Sequence, residues 1–444
     1  MDAKKINRQI LRLAIPSIMA NITVPLVGIV DLAISGHIGD AVSMGGIAIG
    51  SMLFDLLYWN MGFLRVGTGG LTAQAFGRRD WKSAGETFAQ GIMTAWAVAL
   101  ICLAIQWLYI YVAFMLVDCS PQAAVIAKEY FFIRIWAVPA TLSLFVFKGW
   151  FIGMQNTVFA MIVDIWVNVV NMVASWYLAF HTSLGIKGIA VGTLVAQWTG
   201  FLLAGSLLLF KYRAVVALAN LRQCARWKRI RAFFSLNIDL FVRSLSMLVV
   251  YTGFTVLAAR FGDTQLAVST VMMKMLLLYS YFVDGFAYAG EALAGRYIGA
   301  QDTRSLHLTI KWIFVWCFII SALSTFLYAV IPRGMIALIT DDLQVRAACE
   351  PFLFWLLLMP VVSCIAFTWD GIYIGATASV PLRNSTILAA VVFVLSYLIF
   401  KGPFGVQSIY IGYFVHLVAR SAYLTLVVRK NIWSRVPAPD GGVR

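Results

Sequence analysis

Acidic residues are scarce in this sequence: 19 in 444 positions, against 34 Lys and Arg. Charged residues of both signs make up only 12%, about half of what a soluble domain of this size carries. A water-facing globule is therefore excluded. Histidine is sparser still, and His37, His181, His307 and His416 fall mostly near helix ends with no ligand spacing. Cys102, Cys119, Cys224, Cys317, Cys349 and Cys364 lack metal-binding or redox spacing, so they are expected to be packing residues and no metal site is expected. No GxxxxGK[ST] loop is present to hold a nucleotide, and no nucleophile–base motif marks an enzyme. The opening MDAKKINRQILRLAIPSIMA runs into an apolar stretch without a small-residue cleavage site, so no cleavable signal peptide is expected.

What fills the chain instead is apolar sequence: 61% of residues are hydrophobic and the mean hydropathy is +0.86. The long runs recur from end to end, so the expected fold is an all-α membrane protein, each span needing about 20 apolar residues. Twelve transmembrane helices are placed at 10–36, 44–75, 86–115, 124–150, 155–181, 186–210, 233–260, 265–296, 304–331, 346–374, 383–400 and 406–429. Of the 34 basic residues, 22 fall in the termini and alternate loops, among them Lys4, Arg8, Arg78, Arg79, Arg296, Arg304, Arg383, Arg429 and seven in the segment 211–232. The opposite loops hold Lys128, Lys187, Arg260, Arg333, Arg346 and Lys401. This asymmetry puts both termini in the cytoplasm. The net charge of +15 is then a topology signal and a contact for anionic lipid head groups, not a nucleic-acid surface.

The chain also repeats. HIGD at 37–40 matches RFGD at 260–263, AFGRRD at 75–80 matches YIGAQD at 297–302, Pro139 matches Pro360, and FIG at 151–153 matches YIG at 373–375. The offsets are 223, 222, 221 and 222. Six spans per copy give both copies one orientation, hence two six-helix lobes related by a pseudo-two-fold along the membrane normal. The expected division is an N-terminal lobe 1–210, a basic cytoplasmic linker 211–232 partly lying on the membrane surface, a C-terminal lobe 233–430 and a cytoplasmic tail 431–444. Two lobes around a cleft suit transport by alternating access, and without a nucleotide site the energy would come from an ion gradient.

Several blocks carry a resemblance. IVDLAISGHIGD, GLTAQAFGRRD, NIDLFVRSL, DGFAYAGEALAGRYIGAQD and WDGIYIGAT resemble the multidrug and toxic compound extrusion (MATE) family, the last two its DinF-like branch. The resemblance spans essentially the whole chain. It implies secondary antiport, driven by H⁺ or Na⁺, of bulky organic compounds that are often cationic or amphipathic.

An ionisable group in the hydrocarbon costs on the order of several kcal/mol unless paired or hydrated, so each is a candidate site. Asp31 stands in the outer half of the first helix with no basic neighbour in sequence. A carboxyl group withdrawn from water binds a proton more readily than one in bulk solvent, and the resemblance implies an essential acid here. Pro16 and Pro25 each remove a helix hydrogen bond, which makes this helix a bending element. In the fifth helix Asp164, Asn168, Asn171 and Ser175 step i, i+4, i+7 and i+11 along one face. Asn171 and Ser175, with Thr193, share the depth of Asp31 and are expected to form one cation-coupling pocket with it; a helix-packing network is the alternative. The resemblance puts a second acid where Ser175 stands. Its loss leaves one carboxylate, which suits H⁺ better than Na⁺, since Na⁺ prefers several hard oxygens.

Further candidates for a cavity or gate are Lys148 and Asp370, at equivalent repeat positions, and Asp239, Arg243, Lys274, Asp284 and Glu291. Lys148 and Asp370 could latch the lobes or merely snorkel, and the resemblance implies a cation or substrate role for Asp370. Asp239 and Arg243, i and i+4, are expected to pair within their helix. Lys274, Asp284 and Glu291 line a cavity or neutralise one another, and Arg65 and Arg134 are left open. The expected function is a cation-coupled exporter, H⁺ over Na⁺, of organic cationic or amphipathic compounds. It would be a monomer in the bacterial inner membrane, with no cofactor beyond the coupling ion. The alternative is a lipid-linked precursor flippase of similar plan, which would need Arg65, Lys148, Arg243 and Lys274 to converge as a cationic cleft.

Overall fold

The computed structural model describes residues 2–38, 41–117, 119–224 and 227–437. Asp40 of the HIGD block and the last part of the tail, 438–444, lie outside the described residues. Every described regular element is helical. Twelve helices are long and apolar enough to cross a membrane: α1 Ala3–His37, α2 Val42–Arg78, α3 Trp81–Ala104, α4 Pro121–Gly153, α5 Thr157–His181 and α6 Lys187–Ala217. The second six are α7 Ser235–Ala259, α8 Asp263–Gly299, α9 Thr303–Val330, α10 Leu343–Gly375, α11 Ser379–Phe404 and α12 Gln407–Leu426. Helices are forced here because lipid offers no hydrogen bonds, so each backbone N–H and C=O must find its partner within the segment.

Twelve spans match the sequence expectation, with local differences. The expected span 86–115 is two helices, α3 and a separate Gln106–Leu116, broken at Ile105 (φ −97°, ψ 8°). Of the linker, 211–217 prolongs α6, and residues from Trp227 onward already belong to the helix that becomes α7. The start of the tail is tied down: Thr303 Oγ1 donates to Pro437 O (2.7 Å) and Gln301 Nε2 to Arg435 O (3.1 Å), while Arg435 donates to Ala376 O.

The repeat is visible in the turns. Among the described residues, four helices end on a non-glycine residue in the left-handed region: Arg79 (φ 57°), Gln155 (60°), Gln301 (57°) and Thr377 (52°). They form two pairs, each 222 residues apart. Each closes the same double turn. Asp80 N donates to Ala75 O and Arg79 N to Phe76 O, and Asp302 N and Gln301 N repeat this on Tyr297 O and Ile298 O. This 6→1 and 5→2 pattern satisfies carbonyls that the helix end leaves bare. Asp80 and Asp302 then cap the next helix, their Oδ1 atoms accepting from Ser83 N and Ser305 N at 3.0 Å. AFGRRD and YIGAQD therefore encode one helix stop followed by one helix start.

Packing repeats as well. A Cβ added to Gly149 would sit 2.1 Å from Arg65 O, and one added to Gly371 would sit 2.1 Å from Ala287 O. α4 thus lies against the α2 backbone as α10 lies against α8. The described residues form two compact units, 19–234 and 1–18 with 235–444, so the division falls inside α1 between Pro16 and Pro25.

Candidate functional site

In the unit 19–234, the polar face of α5 reaches three other helices. Asp164 pairs with Lys148 of α4. Asn168 Nδ2 donates to Thr23 Oγ1 of α1 (2.6 Å), and Asn171 Nδ2 to Thr193 Oγ1 of α6 (2.9 Å). Thr193 Oγ1 and Ser175 Oγ both donate to Ile189 O, at 3.1 and 3.4 Å. Asn171, Ser175 and Thr193 are all buried. Ser175 is also hemmed in, because a Cβ at Gly192 would meet its N and Oγ at 2.5 Å. The structure brings Asn171, Ser175 and Thr193 together as one α5–α6 seam.

Asp31 lies further along α1 from the bond between Thr23 and Asn168. α1 and α5 run in the same direction, and Thr23–Asn168 sets their register. Asp31 lies eight residues beyond Thr23 and Ser175 seven beyond Asn168, about 12 and 10 Å along the axes. Its Oδ1 is screened from solvent and has no hydrogen-bond partner among the described residues. The cation acting on it is Arg134 of α4, which acts on Asp55 of α2 as well. Arg134 Nη1 donates to Tyr130 Oη (2.9 Å), and its guanidinium lies 4.8 Å from the Phe54 ring centre. Ser51 Oγ donates to the same Tyr130 hydroxyl (3.3 Å). Arg134, packed against the Phe54 ring, thus lies within electrostatic reach of both Asp31 and Asp55. Sequence reasoning passed over Asp55, although an acid well inside a span carries the same signal as Asp31.

In the other unit, the expected Asp239–Arg243 pair within α7 is replaced by bonds between helices. Asp239 accepts from Arg383 Nη1 (2.6 Å) and Ser379 Oγ (2.7 Å). Arg243 Nη2 donates to Asp370 Oδ2 (2.7 Å), and Arg420 of α12 donates to the same oxygen. The physical reason is burial. Arg420 has no exposed surface and must meet an anion, whereas an i, i+4 pair on a helix surface is worth only about 0.2–0.5 kcal/mol. Arg420 was not among the sequence candidates; a lone arginine within the last span was the available signal. Lys148 and Asp370, weighed as a latch, each have an ionic partner within their own unit. Lys274 is on an exposed face of α8, while Arg65, Asp284 and Glu291 each interact with neighbours. Lys148 and Arg243, two of the four cations expected of a flippase, each carry an acid partner within their own unit.

The MatE family model matches residues 16–177 and 240–398, once in each half. The chain belongs to the MatE family. DNA damage-inducible protein F of Escherichia coli (strain K12) is 31% identical, over 94% of this chain and 91% of its own length. Multidrug and toxin extrusion protein 1 of Danio rerio is 21% identical, over 96% of this chain and 72% of its own. Among solved structures, an outward-facing multidrug resistance MATE family transporter of the MOP superfamily superposes with a TM-score of 0.88 at 17% identity, covering 98% of this chain and 97% of that one. The MatE chain is thus a multi-pass membrane protein of the multidrug efflux transporter family, as the sequence resemblance implied. The double match of the MatE model falls on the same two halves as the paired turns and glycine contacts.

Proposed function

We propose that this protein exports organic cationic or amphipathic compounds from the bacterial cytoplasm across the inner membrane, in exchange for protons. Both termini face the cytoplasm, and Asp31 is the proton carrier. The observation carrying this reading is the Asp31 carboxylate, with one oxygen withdrawn from solvent and without a hydrogen-bond partner among the described residues. A proton on that carboxyl changes the local charge by one unit opposite Arg134, and so shifts the balance between conformations to which substrate binds unequally. The coupling ion is H⁺ rather than Na⁺ because Ser175, where a second acid would stand, is fully buried against Ile189 O and Gly192. A lone carboxylate suffices for a proton but leaves Na⁺ short of hard ligands. The test is efflux of an organic cation from proteoliposomes under an imposed pH gradient. Asp31→Asn, inserted and folded, should lose gradient-driven efflux by at least about tenfold while still binding substrate; undiminished efflux from that variant defeats the assignment.

A further inference from the structure

The unit formed by 1–18 and 235–444 contains a second polar centre that the proton reading does not use. Asp370 Oδ2 accepts from both Arg243 and Arg420, so two guanidinium groups converge on one oxygen. Much of their donor capacity is left over. Arg420 Nε and Nη1, and Arg243 Nε, are screened from solvent with no hydrogen-bond partner among the described residues. Both ring nitrogens of His416, one turn before Arg420 on α12, are in the same position. His416 and Arg420 have no exposed surface at all, whereas Arg243 and Asp370 retain 18% and 13% of theirs. Arg420 and His416 are therefore the deeper members of the cluster, and Arg243 and Asp370 the ones nearer its surface. The Tyr413 ring lies 4.7 Å from that of His416 and 6.3 Å from that of Tyr251.

Buried donors without acceptors are costly, about 1–3 kcal/mol each and more for charged groups, and such groups cluster where a ligand completes them. The unmatched groups here are mostly N–H donors in guanidinium geometry, which matches the two oxygens of a carboxylate. Two unmatched acceptors accompany them, Asp370 Oδ1 and the unprotonated ring nitrogen of a neutral His416. Aromatic rings adjoin the polar groups, with Phe367 6.0 Å from the Arg420 guanidinium and Phe393 packed edge-on to His416.

The geometry points to a binding site for the carboxylate of an amphipathic organic acid, held by Arg243 and Arg420 with its apolar body on the surrounding rings. The inference extends the export reading by adding acids to its substrates. It is tested by binding alone, without any gradient, so its failure leaves proton coupling untouched. Asp370 is the internal competitor, occupying with its own carboxylate the donors that a ligand would take.

The probe is 1-naphthoate, bound to the full chain in neutral detergent, against 1-naphthylmethylammonium with the same aromatic body and opposite charge. Arg243→Gln leaves Asp370 bonded to Arg420, and Asp370→Asn keeps an accepting oxygen of the same shape, so both variants should fold; gel filtration and thermal unfolding verify this. Naphthoate affinity should fall about tenfold in Arg243→Gln and rise about tenfold in Asp370→Asn, while the ammonium compound shows neither change. If Asp370→Asn fails to tighten naphthoate, or both compounds respond alike, the assignment is overturned. Equal protection of the protein by inorganic phosphate, with no added gain from naphthoate, would overturn the amphipathic part.

Discussion

At the scale of single residues, the most informative side chains are those whose partners differ from sequence expectation. Asp239 and Arg243 were adjacent on a helical wheel, yet each bonds to another helix, because sequence spacing registers a neighbour on the same helix and is blind to one arriving from elsewhere. Asp55 and Arg420 show the same limit: each is an isolated charge in an apolar run, legible as unusual but not as part of a cluster. Ser175 makes a specific prediction. Ser175→Asp, which restores the acid implied by the resemblance, meets Gly192 and Ile189 at a site with no exposed surface. An unpaired carboxylate there costs about several kcal/mol, so the variant should give markedly less folded protein and no Na⁺-driven efflux; a stable variant that gains Na⁺ dependence would contradict the account of the seam. Asp80 offers a pH test. The Ser83 hydroxyl, and after it the Ser83 N–H, hold the Asp80 carboxyl below the usual carboxylate range. The capping contribution is therefore present above the ordinary carboxylate pKa of about 4 and is lost as pH falls through the lowered value. Asp80→Ala should cost about 1 kcal/mol at neutral pH, and its melting temperature should approach that of the parent as the solution is acidified.

At the scale of elements, the spans were legible because twenty apolar residues in a row have few other uses. Their ends were less so. α2, α4 and α8 extend past the apolar run because Schellman turns and aspartate caps, rather than hydropathy, decide where a helix stops. The α3 break at Ile105 has neither glycine nor proline to announce it. Helix contact depends on backbone proximity at Gly149 and Gly371. Gly371→Ala would put a methyl group 2.1 Å from Ala287 O, and since the obstruction is backbone, α10 must move away from α8. A cost of about 1–3 kcal/mol is expected, read as a lower unfolding temperature in detergent. Gly205, with nothing within 4 Å of an added Cβ, should accept alanine without loss and serves as the control.

At the scale of the whole molecule, composition established a membrane protein, the repeat gave its two halves, and the motif blocks pointed to the family that the MatE match then showed. The ion and the substrates were not legible in the same way, since they depend on which polar groups from distant parts of the chain share a pocket. The proton reading predicts that reconstituted protein will drive efflux under an inward pH gradient of about one unit or more, and that a Na⁺ gradient at constant pH will drive none. Efflux of equal rate under Na⁺ alone would require a second oxygen-rich site.

The matched turns at Arg79 and Gln301, and at Gln155 and Thr377, have a practical consequence. A residue's tolerance to change is set by local backbone, and here the backbone occurs twice. A mutational scan of either half therefore forecasts the other by adding or subtracting 222. Positions where the forecast fails, as at Lys148 and Asp370 with their opposite charges, are where the two copies have taken up different work.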